Sequence, residues 1–546
     1  MKEFICLNEN FSFNSNVIDF VDNKHLYLVA NNNQARAYII APEIDFYLKN
    51  SKNNLEKIEK LYEARALAYD YSKEIKKSTQ IKKELFLNFE DDELKLFLEN
   101  KGYKCINVPS NAEFYGFIGE LNAIFDGEIK NASLALCKNE SKINAVKNIT
   151  NLSKEEILEF LNNNTGYYEY NLKIIFDANS CQLQDRRTSH CGWCAEICPT
   201  LAIVKDENKL LINDIDCISC AKCVNICPTN ALSLAAFNKE SFWQISKLYE
   251  NEQILVLDDF SVDADISGFL PFVMNVNLLD ELKLLHLVNT SNKTVFVYSK
   301  NPSELLIEKI SLINQIANNI ENKDFICLIT DLNTLQQVNI NEFTSTNIKQ
   351  SNFILNKREL FSLKMLDMIK ENDYGTIKAK NYALININQK SCTLCASCAG
   401  ACNVSAIKAD TKTNSIIFNA SLCTSCGYCV QSCPEEDTIF MQNDIMKLNK
   451  SFFTYQQLAQ DELFACLECK KEFATKKSIE KIASILALQF SSDYLKEYSL
   501  YCCADCKAKI MMLKHASFVD DSVKYEDGIK QRLKNFKEIK NAIKQS

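Results

Sequence analysis

Twenty-one of the chain's 25 cysteines fall in clusters. Cys217, Cys220, Cys223 and Cys227, followed by Pro228, read C-x2-C-x2-C-x3-C-P, and Cys423, Cys426, Cys429 and Cys433 with Pro434 repeat the pattern. Cys392, Cys395, Cys398 and Cys402 keep the spacing, with Asn403 in the proline's place. Cys191, Cys194 and Cys198 with Pro199 are an incomplete version, because Thr188 stands where a first cysteine would. Cysteines three apart in a tight loop can reach three corners of one iron–sulfur cube. The fourth, leaving on a short helical segment, points away toward a second cube. Proline suits that exit because it cannot continue regular hydrogen bonding. Asn403 removes the restraint but no ligand. Zinc sites use C-x2-C knuckles set far apart, which makes zinc the poorer reading of these tight runs.

The runs come in two pairs, with 18 residues between Cys198 and Cys217 and 20 between Cys402 and Cys423. Each intervening stretch holds two strand-like pieces, "LAIV" then "KLLIN" and "AIKA" then "SIIFN". These predict a short hairpin between two ligand loops. The pattern resembles the bacterial two-cluster [4Fe–4S] ferredoxin family, twice over, across residues of about 181–236 and 385–445. The resemblance implies crossed ligation. One cluster takes Cys217, Cys220, Cys223 and Cys198. In the second pair, one takes Cys392, Cys395, Cys398 and Cys433, and the other takes Cys423, Cys426, Cys429 and Cys402. The remaining cluster has Cys191, Cys194 and Cys227 and needs one more ligand. Cys181, ten residues before Cys191 and directly after the strand-like "LKIIFDA", is the expected donor. The alternatives are a three-iron cluster or an exogenous fourth ligand, His190, or a broken site. The Thr188 hydroxyl is a poor iron ligand beside thiolates.

Cys466/Cys469 and Cys503/Cys506 are a different case, two C-x2-C pairs about 33 residues apart with Cys502 spare beside the second. The segment between them has isoleucines and leucines at helical spacing. Two knuckles with a helix between resemble a structural zinc ribbon or treble clef, with one zinc holding a unit too short to fold by burial alone. A fifth iron–sulfur cluster is the rival. The lysine-rich tail after residue 527 reads as a solvated amphipathic helix. Cys6, Cys105, Cys137 and Cys327 stand alone and read as small buried hydrophobes.

The rest of the chain must position these loops. Residues 1–170 alternate strand-like runs ("HLYLVA", "RAYIIA", "YKCINV", "SLALCK") with helical ones, the pattern of an α/β domain. Residues of about 250–345 do so again, with "QILVLDD", "LPFVMNV", "KTVFVYS" and "DFICLIT" as strands of a parallel sheet. That segment distantly resembles the small α/β domain of iron–sulfur subunits in hydrogenase–heterodisulfide reductase systems. The 11 glycines include no G-x-G-x-x-G and no P-loop, so neither domain carries a dinucleotide fingerprint. Asp258, Asp259 and Asp331 read as surface turn residues, and His286, on an apolar helix, as a core or surface histidine. The fold class expected is a multidomain α+β and α/β chain. Its parts are an α/β domain at 1–175, a dicluster domain at 176–240, a Rossmann-like domain at 241–375, a second dicluster domain at 376–445, and a zinc-ribbon-like domain with helical tail at 446–546.

A formal net charge of −8 argues against nucleic acid as a partner. No stretch approaches the length of a membrane span. The first residues lack an export signal, which makes the cytoplasm the expected compartment. Four thiolate-bound cubes suit one-electron relay, so the expected function is a polyferredoxin serving a larger oxidoreductase such as a formate dehydrogenase or hydrogenase. No catalytic site of its own is expected. A redox-sensing or assembly factor that uses its clusters as a switch is the alternative, and a flavin held by an unfamiliar motif is a third.

Overall fold

In a computed structural model of the chain, the structure describes residues 3–7, 26–30, 39–52, 54–73, 75–185, 191–343, 355–486, 488–490, 492–513 and 520–545. The chain divides into two compact units, Met1–Ile377 and Lys378–Ser546.

In the first unit, Gln253–Leu257 is buried at every position, the mark of a strand covered on both faces. It lies inside a four-stranded sheet ordered Phe269–Val273, Gln253–Leu257, Val295–Tyr298, Ile326–Ile329, with every pairing parallel. Helices Glu281–Ser291 and Glu304–Glu321 cross between strands, each started by a capping side chain, Asp280 on Lys283 N–H and Ser303 on Leu306 N–H. The "α/β" reading of this segment is the observed one. His286 is 6% exposed and meets Trp243 edge to face with ring centroids 4.0 Å apart, which makes it a core residue.

The part nearer the N-terminus is more mixed than expected. Val146–Asn148, Leu134–Cys137, Glu84–Leu87 and Lys104–Asn107 form a parallel sheet in that order. Beside it stands an antiparallel meander, Glu113–Phe117, Glu120–Phe125 and Glu128–Ala132, which the expected α/β pattern did not include. Helix Leu55–Tyr71 packs instead toward the other sheet's surroundings: Lys57 Nζ donates to the Gly268 carbonyl at 2.8 Å and Lys60 pairs with Glu252 at 2.6 Å. Cys137 is buried, whereas Cys105 and Cys327 are only half-buried, a correction to their reading as buried hydrophobes. The side chain of Cys6 lies outside the described residues.

Between these parts sits the first cysteine-rich segment. Strand Ile174–Phe176 pairs antiparallel with Leu232–Leu234, and Ile203–Asp206 pairs with Lys209–Ile212 as the expected hairpin. The second unit repeats the plan. Asp373–Ile387 neighbours Ile439–Asn449, and hairpin Ile407–Asp410/Ser415–Phe418 is extended by Gln456–Gln460. A small module follows, with a hairpin Leu463–Ala465/Glu472–Thr475 and helices Lys476–Leu486, Ala504–Leu513 and Asp520–Gln545. The last helix is not simply solvated. Ile529 and Leu533 are buried in the module's core, at 0% and 4% exposure. No helix among the described residues is long and apolar enough to cross a membrane.

Candidate metal centres

Each cysteine run folds by the same backbone rule. A helix of four or five residues begins one residue before Cys194, Cys223, Cys398 and Cys429: Trp193–Glu196, Lys222–Ile226, Ser397–Ala401 and Tyr428–Gln431. In the three complete runs the residue before that helix is left-handed, Ala221, Ala396 and Gly427 at φ 66°, 60° and 75°. So is the residue before the second cysteine, Ser219, Leu394 and Ser425 at φ 55°, 54° and 57°. Left-handed backbone costs a non-glycine residue roughly 1–2 kcal/mol, so five such residues need a compensating gain. Alternating handedness turns successive N–H groups into one concavity that receives an anion. A left-handed residue also stands three positions after the last cysteine in three runs, at Leu201, Asn230 and Ser405, and four after it in the other, at Asp437. Ser405 keeps its place although Asn403 replaces proline, so the restraint lost at that position leaves the local turn intact.

The runs gather their thiols in crossed groups. Cys223 faces Cys217, Cys220 and Cys198. Cys398 faces Cys392, Cys395 and Cys433, while Cys429 faces Cys423, Cys426 and Cys402. Cys181, Cys191, Cys194 and Cys227 line one cavity, walled by Leu183, Trp193, Leu210 and Leu232. Burial, and then the neighbouring sulfurs, push the thiols up, Cys191 to about 11 and Cys223 and Cys398 to about 12. Cys194 and Cys429 rise further for the same reasons. Four crowded sulfurs in an apolar pocket do not stay ionised together unless a cation joins them. Groups of four thiols with backbone N–H donors suit iron–sulfur clusters, so the residues present fit that cofactor.

Strand pairing explains how Cys181 reaches its group. Phe176 ends its strand opposite Leu232, so Cys181, five residues on, and Cys227, five residues before Leu232, emerge at the same end. Cys392 likewise stands five residues beyond the strand end Ile387. The exits match in detail. Asp177 N–H donates to the Ala231 carbonyl and Asn388 N–H to the Thr438 carbonyl, both at 2.8 Å. Leu183 N–H approaches Cys181 Sγ at 3.5 Å, as Ser219 N–H approaches Cys217 Sγ at 3.4 Å. Thr188 and His190 lie outside the described residues.

The C-terminal site is compact. The sulfurs of Cys466, Cys469, Cys503 and Cys506 all lie within 4.8 Å of one another. The first pair sits on the hairpin turn, closed by Cys466 N–H to the Lys471 carbonyl at 2.9 Å, and the second at the start of helix Ala504–Leu513. Burial pushes the Cys466 thiol up, but N–H groups of Cys469, Cys503 and Glu468 outweigh it and bring it down to about 6. Cys506 is pushed up to about 12 by burial and by the sulfurs of Cys469, Cys503 and Cys466. Four thiols at tetrahedral spacing fit zinc. Cys502, also buried, is turned toward the Tyr498 carbonyl at 3.5 Å. Glu468, between the first two ligands, accepts from Tyr525 at 2.5 Å, Tyr498 at 3.0 Å and Arg532 at 2.9 Å, and so ties the last helix to the site.

Crossed thiol groups, a strand pair outside them and a hairpin between them define an iron–sulfur dicluster architecture, present once in each unit. Comparison with known families agrees: residues 187–231 and residues 384–434 each match a family described as a 4Fe-4S dicluster domain. The two cysteine-rich segments therefore belong to the 2[4Fe–4S] ferredoxin-like family, and the C-terminal cysteines are compatible with a zinc-ribbon-like segment. Cys181 precedes the matched residues of the first domain. No curated protein matches the chain.

Proposed function

We propose that the chain is a polyferredoxin. In this reading it holds four [4Fe–4S] clusters and one zinc and relays single electrons, in the cytoplasm, to or from a larger oxidoreductase such as a formate dehydrogenase or hydrogenase. What supports the reading is one observation: sixteen cysteines fall into four groups of four, all but Cys181 within the residues that match dicluster domains.

When bound, each cluster supplies a one-electron couple whose potential follows burial, hydrogen bonding and charge. The chain's own residues set those conditions. Leu183, Trp193, Leu210 and Leu232 keep water from one group, and left-handed residues aim N–H groups at the sulfurs. Within each domain the groups adjoin, Cys194 beside Cys223 and Cys429 beside Cys398, which favours transfer between them. Cys395 alone of the sixteen is exposed, so its group is the natural point of exchange with a partner. Four cubes add about two negative charges each to a chain already at −8, so the partner should present a basic docking face.

The deciding experiment is metal and sulfide analysis of anaerobically purified chain. The expected content is about sixteen iron, sixteen sulfide and one zinc per chain. A colourless preparation with zinc at every thiol cluster would overturn the proposal.

A further inference from the structure

Around Cys392 one peptide group is held from both sides. Its N–H, from Leu394, donates to Cys392 Sγ. Its carbonyl, from Thr393, is buried and accepts from Thr475 Oγ1 at 2.9 Å and Ser478 Oγ at 2.7 Å. Each hydroxyl has one proton, and the two oxygens are themselves 2.7 Å apart. The pair therefore delivers either two direct bonds or a relay from Thr475 through Ser478, and both arrangements end on the Thr393 oxygen.

The other ligand segment of the same group is tied to the same helix. Thr393 Oγ1 donates to Glu435 Oε1 at 3.0 Å, and Glu435, two residues beyond Cys433, pairs with Lys481. Thr475 ends the hairpin that carries Cys466 and Cys469 and caps helix Lys476–Leu486 by accepting Ser478 N–H at 3.3 Å. The hydroxyl pair thus stands where the four-cysteine module meets the Cys392 loop.

Resting on the proposed electron-transfer role, we infer that Thr475 and Ser478 are positioning residues that raise the reduction potential of the cluster on Cys392, Cys395, Cys398 and Cys433. Metal at the C-terminal four-cysteine site holds them in place. Hydrogen bonds in series polarise one another, so donors on the Thr393 carbonyl strengthen the Leu394 N–H bond to sulfur. Reduction adds one electron and one negative charge with no bond made or broken, and a stronger donor on a ligand sulfur favours that more negative state.

The test is a redox titration of the anaerobic full chain, followed by electron paramagnetic resonance. In a Thr475→Val, Ser478→Ala double variant, one midpoint potential falls and the others stay, at unchanged iron content. The expected shift corresponds to about a tenfold loss in the reduced-to-oxidised ratio at fixed potential, ~59 mV for one electron. Thr475→Ser with Ser478→Thr, which keeps both hydroxyls, holds the parent potential, and Cys503→Ala lowers the same potential as the double variant. Iron-replete double variant with every potential unmoved would overturn the inference, as would an equal fall in the hydroxyl-retaining variant or no fall in Cys503→Ala. Should the double variant lose a cluster, Ser478→Ala alone decides, an unmoved potential again being fatal. A parent chain without iron would instead defeat the electron-transfer reading itself.

Discussion

Cys181 shows what a single residue's position can and cannot reveal in a sequence. The complete runs are legible because ligand geometry dictates their spacing, so Cys217 to Cys227 announces its chemistry without a fold. The place of Cys181 depends on a ladder between Ile174–Phe176 and Leu232–Leu234, residues far apart in the chain. Sequence could supply one hint, the five-residue step from strand end to cysteine that Cys181 shares with Cys392. His286 makes the same point from the other side. An apolar helix leaves core and surface equally open, and only tertiary packing places the ring on Trp243 with Nε2 2.8 Å from Ser246 Oγ. For Cys181→Ala the expected outcome is loss of a single cube, about four iron per chain, or its conversion to a three-iron cluster. Iron analysis with electron paramagnetic resonance checks this, and an unchanged count with unchanged spectra would remove Cys181 from the ligand set.

Elements differ in legibility for physical reasons. Buried parallel strands such as Gln253–Leu257 are short apolar runs that stand out between helices. The meander Glu113–Ala132 carries one legible signal, Asp126-Gly127, whose left-handed φ of 50° and 77° makes the two-residue turn between Glu120–Phe125 and Glu128–Ala132. Contacts between elements were hidden. Lys357, 1% exposed at the start of helix Lys357–Ile369, donates to the Asn225 carbonyl at 2.9 Å. It also lies 3.3 Å from Glu281 Oε1 and 3.6 Å from Asp280 Oδ2. Asn225 sits on the short helix between Cys223 and Cys227 and donates to the Asn277 and Leu279 carbonyls, each at 2.9 Å. One ammonium therefore joins three elements behind the first dicluster domain. Lys357→Met leaves two buried carboxylates short of a partner and should cost about 3 kcal/mol. Denaturant unfolding at equal cluster content measures it, and an unmoved midpoint would show that the remaining pairs, Asp280 with Lys283 at 2.5 Å and Glu281 with Lys309 at 3.2 Å, suffice.

At the scale of the whole molecule, each unit wraps a dicluster domain in its own way, one among α/β sheets and one beside a four-cysteine module. The module's small core includes four of its own ligand or near-ligand sulfurs, Cys466, Cys502, Cys503 and Cys506, so burial and metal binding are the same stabilising event there. Selective removal of the C-terminal metal by a chelator should unfold this module alone. Hydrogen exchange would rise across residues 463–513 and 525–537, while residues 253–329 keep their protection. Exchange unchanged after verified metal loss would mean that packing holds the module unaided.

In the proposed ligation, crossed grouping also sets the order in which complete ligand sets are synthesised. Translation delivers residues from the N-terminus, so the cube that uses the earliest cysteines of a domain waits for the latest one. Cys223 emerges before Cys227, and Cys429 before Cys433. In both domains the neighbour's four cysteines are therefore complete first, and the set that includes Cys181 or Cys392 is complete last.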